Sequence, residues 1–371
     1  MKTARWGCAA LLAAACSGPS GPEPAALVYL EKPQPVRVLW AQNVGSSENF
    51  TFTPALVGDA LYAAARDGTV TRLDAGKGDT RWREDLRLKL SGGVGADERT
   101  VAVVSEEGEV VALDPAKGNV RWRARVSSEV LAPPAVGGGL VLVRTIDNRV
   151  FALEAEDGKR RWVYQRAPSS LLVRAPANLA IAGDLVYAGF TGGKLVALAL
   201  QNGAARWEAN VTVPKGTTEL ERVSDVLGAP AVEGREVCAA AYRARIACFD
   251  AATGRQLWAR DLPVLSGVGL DARYAYVADE RGAVHAFDRS NGQSVWKQDK
   301  LAHRQLSAPL ASGAAVAVGD FEGYIHFLAR DTGVFIARQD TDGAAVRAAP
   351  QRFGKGLLVQ TERGGVFAVE P

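Results

Sequence analysis

The chain has 371 residues, with 44 Lys or Arg, 41 Asp or Glu and a formal net charge of +3. Two of the basic residues, Lys2 and Arg5, lie in an N-terminal segment with the features of a removable signal, and without them 42 basic residues stand against 41 acidic ones. This balance, with no long block of like charge, argues against a broad nucleic-acid-binding surface.

Residues 1–15 are predicted to be a signal peptide. A basic start precedes an apolar stretch over residues 8–15, which is too short to span a bilayer. The segment resembles a bacterial lipoprotein signal, with Leu12 one place further from Cys16 than usual, and predicts cleavage before Cys16 and lipid on its sulfur. Ser17 after the cysteine favours the outer membrane. A plain secretory signal with an incidental cysteine is the alternative, and both predict export.

Residues 16–31 are rich in Pro, Gly and Ser. This composition predicts a lipidated tether between the membrane and the folded domain. The folded domain is expected to span residues 32–371.

The folded region repeats one pattern, in which an acidic residue is followed by a glycine four residues later and a tryptophan four residues after that. The successive copies are Asp74/Gly78/Trp82, Asp114/Gly118/Trp122, Glu154/Gly158/Trp162, Ala199/Gly203/Trp207, Asp250/Gly254/Trp258 and Asp288/Gly292/Trp296, with a degenerate copy at Ala329/Gly333/Ala337. A period near forty residues indicates a repeat architecture.

Each repeat contains β-rich runs joined by turns, such as "LVLVR" followed by "RVFALE". Four short antiparallel strands per forty residues correspond to one propeller blade. We interpret the motif as structural: the glycine supplies a left-handed turn, and the tryptophan packs between neighbouring blades with its indole N–H on a carbonyl. The blade-docking tryptophans are then Trp40, Trp82, Trp122, Trp162, Trp207, Trp258 and Trp296.

The last repeat stops after Glu370, before its fourth strand, whereas "VRVLW" around Trp40 has the features of a fourth strand without a repeat. Pairing the two closes the ring and removes a free sheet edge. The predicted fold is therefore all-β, a closed eight-bladed β-propeller of four-stranded antiparallel blades.

Cys238 and Cys248 lie on the two strands of one predicted hairpin, whose three-residue loop would place them opposite each other. Because an exported protein meets an oxidising environment, we expect a disulfide. Two small buried thiols are the alternative.

No catalytic constellation is evident in the sequence. His285, His303 and His326 belong to different blades, and packing is the favoured role for the first and last, which occupy matching positions. Eight blades with a Gly-x-x-x-Trp motif also build quinoprotein dehydrogenases, but those enzymes use adjacent cysteines that this chain does not have. We predict a protein that is not an enzyme, without a cofactor or a catalytic metal.

The tryptophan spacing is longest at two consecutive positions, where residues 164–178 and 210–230 are inserted. Both inserts follow a fourth strand and precede a first strand, so they are expected on the same face of adjacent blades. Apolar residues with mixed charge around them are typical of a protein-binding patch. Long loops that are merely tolerated remain the alternative.

With "TTELERVSDV", "LAHRQLSAPL" and "GDFEGYIHFL", these features together resemble the BamB family, lipoproteins of the β-barrel assembly machinery of Gram-negative outer membranes. The resemblance implies a non-catalytic scaffold, lipid-anchored at the outer membrane and facing the periplasm. It would dock on the POTRA domains of the barrel subunit BamA and help unfolded outer-membrane protein clients to insert. By position, the residues implied in BamA binding are Leu171, Val173, Arg174 and Asp225. Leu227 stands where the family can carry a second acid. The alternatives are a quinoprotein dehydrogenase and a generic periplasmic propeller binding module.

Overall fold

The computed structural model describes residues 22–167, 171–219 and 221–371. The predicted signal peptide and the lipidation candidate Cys16 lie outside these ranges, so the division into signal, tether and propeller stays a prediction. Among the described residues, no helix is both long and apolar enough to cross a membrane.

The described residues form eight four-stranded antiparallel sheets, and their only helical element is a 3-10 turn, Thr191–Gly193. In chain order the strands are β1 (Arg37–Asn43), β2 (Ala55–Val57), β3 (Ala60–Ala64), β4 (Thr69–Asp74), β5 (Thr80–Asp85), β6 (Gly95–Ala96), β7 (Val101–Val104), β8 (Glu109–Leu113), β9 (Val120–Arg125), β10 (Ala135–Gly137), β11 (Leu140–Thr145), β12 (Arg149–Glu154), β13 (Arg160–Gln165), β14 (Leu179–Ala182), β15 (Leu185–Phe190), β16 (Lys194–Ala199), β17 (Ala205–Asn210), β18 (Val226–Glu233), β19 (Glu236–Ala241), β20 (Arg245–Asp250), β21 (Gln256–Asp261), β22 (Gly269–Leu270), β23 (Tyr274–Ala278), β24 (Val284–Asp288), β25 (Ser294–Gln298), β26 (Leu310–Ser312), β27 (Ala315–Gly319), β28 (Tyr324–Ala329), β29 (Phe335–Asp340), β30 (Gln351–Phe353), β31 (Gly356–Gln360) and β32 (Gly365–Glu370).

Each blade takes four strands in the order in which they pair. Blades 1 to 7 use consecutive strands, from β2–β5 to β26–β29, and blade 8 has the order β30, β31, β32, β1. The first strands of successive blades contact one another around the centre of the ring. The eight-bladed propeller expected from the repeat is confirmed.

The ring closes as predicted, because β1 pairs antiparallel with β32 from Arg37 opposite Glu370 to Asn43 opposite Gly365. This places Trp40 in the fourth strand of blade 8. The N-terminal strand therefore completes the blade that the C-terminus begins.

One contact joins blades 8 and 1, and it recurs at six further joints. The indole N–H of Trp40 donates to the carbonyl oxygen of Ala75 at 2.8 Å, and its ring covers Gly78 in the next blade. Gly78 has a φ of +76°, and a Cβ built there would lie 2.7 Å from the ring. At the other six joints the donor–acceptor distance is 2.6 to 2.9 Å. The tryptophan role is confirmed, and the glycine proves to be needed twice, for its φ and for the approach of the ring.

The joint between blades 7 and 8 is built differently. Ala337 takes the tryptophan position, is fully buried, and packs with Val346, Leu357 and Val369. Blade 8 has no glycine turn to receive a ring, because its third and fourth strands come from opposite ends of the chain. The degenerate seventh copy therefore reflects the position of ring closure.

Cys238 and Cys248 face each other directly across β19 and β20. Both side chains are fully buried, and the structure joins their sulfurs in a disulfide. The hairpin between them has the three-residue loop expected from the sequence, residues 242–244.

The double role of the motif glycine can be tested with Gly158→Ala and a matched control, Gly139→Ala. Both glycines have positive φ, +73° and +79°, but a Cβ at Gly158 would meet the Trp122 ring at 2.6 Å, whereas nothing lies within 4 Å at Gly139. We expect each substitution to lower the free energy of unfolding by about 1–2 kcal/mol for its backbone conformation. Displacing the ring should add about 1–3 kcal/mol at Gly158 alone. Urea denaturation measures both, and equal losses would contradict the interlock.

Candidate partner-binding site

The two long inserts connect a fourth strand to the next first strand. The first insert lies between β13 and β14, residues 166–178, and the second between β17 and β18, residues 211–225. The second is shorter than expected, because β18 begins at Val226 and pairs with Ala241 before a register shift. All connections of this kind lie at one face of the ring, here named the insert face.

The inserts are tied to each other by hydrogen bonds. The backbone N–H of Val173 donates to Asp225 Oδ2 at 2.7 Å, and that of Asn178 donates to the carbonyl of Gly228 at 3.1 Å. The N–H of Gly228 donates in return to the carbonyl of Pro176 at 3.2 Å. The sequence placed the inserts on adjacent blades, and the structure joins them into one surface.

Asp225 lies beneath this surface rather than on it. The residue is 6% exposed, and its second carboxylate oxygen accepts from the N–H of Gly192 at 3.4 Å. Burial is the main reason that the pKa of Asp225 is raised above its ordinary value of 3.8, and the two N–H groups and the positive charge of Arg144 offset this only in part. The expectation of a direct contact with a partner therefore changes: the carboxylate holds the first insert.

Arg144 also lies largely out of water beneath the first insert, which lowers the pKa of its guanidinium to about 10. It remains charged at neutral pH and partly balances the carboxylate of Asp225. A small pocket lined by both residues, with Leu172 and Val173, separates the insert from the propeller.

Arg174 extends the surface over blades 2 and 3. Its guanidinium forms an ion pair with Glu129, in the connection before β10, and a second with Glu106 at 3.3 Å, in the hairpin turn between β7 and β8. Glu106 in turn pairs with Arg66 of blade 1 at 2.5 Å. The Arg174 side chain is nevertheless 57% exposed, so a partner can reach it. Sequence reasoning missed both glutamates, which lie 45 and 68 residues away along the chain.

Apolar side chains border this arginine. Leu171 and Leu172 are 42% and 37% exposed, whereas Val173 is half-buried against the pocket. On the second insert Val213 is 60% exposed. Leu227, at the position where the family can carry an acid, is buried in the pocket wall. Exposed leucines beside a half-exposed arginine give the composition of a protein-binding patch.

Among residues 22–167, 171–219 and 221–371, no group of three or more His, Cys, Asp or Glu side chains is arranged to hold a metal ion.

Comparison with known proteins points to one family. A family model described as outer membrane protein assembly factor BamB matches residues 66–298. The outer membrane protein assembly factor BamB of Bordetella pertussis is 44% identical over 348 residues, covering 94% of this chain and 90% of that protein. The crystal structure of BamB from Moraxella catarrhalis superposes with a TM-score of 0.83 at 27% identity, covering 91% of this chain and 100% of that one.

The propeller is also similar to a quinohemoprotein alcohol dehydrogenase from Pseudomonas putida. The TM-score is 0.69 at 15% identity, covering 90% of this chain and 76% of the enzyme. At this identity the likeness shows a shared fold and nothing further.

The positioning role of Asp225 can be tested with Asp225→Asn. Because the raised pKa means that folding disfavours the ionised carboxylate, we expect the free energy of unfolding at pH 7 to stay within about 1 kcal/mol of wild type. The same shift makes the contribution of Asp225 to stability fall as the pH rises from 3.8 to the folded-state pKa. Residues 171–178 should meanwhile exchange their amide hydrogens faster.

The matched control is Glu221→Gln. Glu221 is exposed in the second insert and accepts hydrogen bonds only from Thr217 and Thr218 of that same loop. Hydrogen exchange read by mass spectrometry should show no change in the first insert for this variant. Equal exchange in wild type and Asp225→Asn would contradict the positioning role.

Proposed function

This chain belongs to the BamB family of outer-membrane protein assembly factors, and we propose that it acts there as a scaffold that docks on BamA through its two inserts. A role in outer-membrane protein assembly follows from the family. The observation that carries the docking site is the surface built by the paired inserts, with exposed Leu171 beside Arg174.

Each proposed contact residue has a distinct part in this docking. Leu171 supplies apolar area, Val173 fixes the backbone by its bond to Asp225, and Arg174 presents charge at the edge. On binding, an acidic group of the BamA POTRA domains would take up guanidinium hydrogen bonds now directed at Glu106 and Glu129. Asp225 contributes by holding the loop in place.

A scaffold needs no catalytic group, and we propose that this chain has no enzymatic activity and takes no cofactor. The relatives that match over nearly the whole chain are assembly factors, which supports a scaffold over a quinoprotein dehydrogenase or a generic binding module. Its clients would be unfolded outer-membrane proteins, brought to the insertion machinery while the scaffold holds BamA.

The docking proposal predicts that Arg174→Gln weakens BamA binding at least about tenfold, which corresponds to about 1.4 kcal/mol. Arg81→Gln is the matched control: that arginine is 52% exposed, pairs with Asp74 at 2.6 Å and lies at the opposite end of its blade. Glutamine is chosen for Arg174 because glutamate would place three carboxylates together.

The measurement is a pull-down of tagged protein from detergent-solubilised envelopes of the native host, read by mass spectrometry. We expect wild type and Arg81→Gln to recover BamA in near-stoichiometric amount and Arg174→Gln to lose it. A wild-type pull-down without BamA would overturn the docking proposal, and thermal unfolding of both variants controls for damage to the fold.

We also propose that the mature protein is anchored at the outer membrane by lipid on Cys16 and faces the periplasm. Several acyl chains would hold it stably, since two such signals already suffice. The Cys16→Ser variant is therefore expected to leave the outer-membrane fraction. Cys8→Ser is the control, because Cys8 is removed with the signal peptide and its loss should change nothing. Equal membrane fractions for both variants would contradict the anchor.

A further inference from the structure

Two sequence motifs remain outside the docking surface, and both meet in blade 7. They contribute Arg304, Asp320 and His326, whose side chains are almost fully buried. Arg304 Nε donates to Asp320 Oδ2 at 2.7 Å, and His326 Nε2 lies 2.8 Å from the same oxygen. Two buried groups thus orient one carboxylate, and that carboxylate fixes the guanidinium.

Blade 6 shows which part of this cluster belongs to the repeat. There, Asp279 lies 2.9 Å from His285 Nε2, in the same relation as Asp320 to His326. The aspartate–histidine pair is therefore shared between blades, in agreement with a packing role for these histidines. The addition in blade 7 is Arg304, so it is the arginine that needs a separate explanation.

The backbone around Arg304 is shaped to turn it inward. Its two neighbours, His303 and Gln305, have φ values of +60° and +49°, a region that residues with a side chain seldom adopt. Strained backbone of this kind is retained where a side chain must be held in place.

The remaining guanidinium nitrogens of Arg304 reach another part of the chain. Nη1 donates to the carbonyl of Ala25 at 3.0 Å, and the N–H of Ala25 donates to the carbonyl of Ala302 at 2.9 Å. Further along, Arg338 donates to the carbonyl of Val28, and the N–H of Gln34 donates to the carbonyl of Ile336 at 2.8 Å. The part of the expected tether that the structure describes lies against blade 7.

We propose that blade 7 carries a binding site for the chain's own N-terminal segment, residues 22–34, and that this site makes the membrane anchor leave from the insert face. Ala302 lies in the connection from β25 to β26, and all such connections lie at that face. From there the segment runs down the outer strand β29 to Gln34 and then enters β1.

Chain length shows how much this changes the reach of the anchor. An extended residue spans at most about 3.3–3.6 Å. Held at Ala25, the chain back to Cys16 can extend about 30 Å from the insert face. Without the contacts it would extend from β1 at the opposite face, about 70 Å away along the chain. The segment therefore halves the reach and selects the face, a conclusion that rests on the proposed lipid anchor.

The first test traps the contact in the full mature protein with Ala25→Cys and Ala302→Cys. Residues paired through a backbone hydrogen bond are close enough for a disulfide. Tyr29→Cys with Ala302→Cys is the control, because Tyr29 is four residues further along and 85% exposed. After mild oxidation, peptide mapping should show at least tenfold more of the 25–302 link than of the 29–302 link. Similar yields would overturn the site.

The second test measures amide hydrogen exchange of residues 22–34 in Arg338→Ala. Arg123→Ala is the control, since Arg123 follows the tryptophan of blade 2 as Arg338 follows Ala337 in blade 7. We expect exchange at least tenfold faster in Arg338→Ala and unchanged in Arg123→Ala. Exchange in wild type at the rate of an unstructured peptide would overturn the proposal.

The third test replaces residues 22–31 with Gly and Ser at constant length, in a host without its own copy. Binding to a soluble BamA periplasmic fragment should stay within twofold of wild type, because the inserts are unchanged. Outer-membrane protein levels should fall at least threefold, and unchanged levels would overturn the orienting role. A wild-type protein that fails to bind BamA would instead count against the docking proposal.

Discussion

The packing of a tryptophan of one blade onto a glycine of the next is the contact on which the architecture depends. Each indole contributes its ring to the joint and satisfies its N–H on a carbonyl of the neighbouring blade, so no polar group is buried without a partner. The contact has a direction, from the fourth strand of one blade to the turn before the fourth strand of the next. A ring of such joints needs every blade to offer both halves, and only the blade assembled from the two chain ends cannot. Ala337 and its small apolar neighbours fill that joint instead.

A scaffold that repeats in this way leaves individual chemistry to the connections between blades. The insert face illustrates two ways of ordering such connections. Asp225 holds one loop through buried hydrogen bonds at the cost of desolvating its carboxylate, which its raised pKa reports. Arg174 spans three elements through ion pairs near water, which restrain it weakly and can be exchanged for a partner's carboxylates. The loop is thus held firmly from beneath and remains adaptable at its outer edge.

The extent to which the sequence predicted the structure depends on the distance over which each feature acts. The blade count, the turn glycines and the ring closure follow from patterns within about forty residues, repeated often enough to be recognised. Residue roles at the docking surface depend on distant partners. Arg174 was correctly placed on an exposed loop, but its pairing with Glu106 depends on how blade 2 is oriented relative to the first insert. Asp225 was taken for a surface residue because its burial is created by Val173 of the other insert. The contacts of Ala25 were missed for the same reason, since a Pro-rich composition describes a chain by itself and not the groove beside it.

The closure of blade 8 has a consequence for biosynthesis. An exported chain crosses the inner membrane from its N-terminus, so β1 emerges first and its partner β32 emerges last. Until then β1 has an unpaired edge, and the strand that satisfies it lies 333 residues away, as the ion pair of Arg37 with Glu370 measures. Such a distant pairing is slow, and exposed edges invite association with other extended chains. In a compartment crowded with unfolded β-strands on their way to the outer membrane, the interval before closure is when this protein is itself most in need of a chaperone.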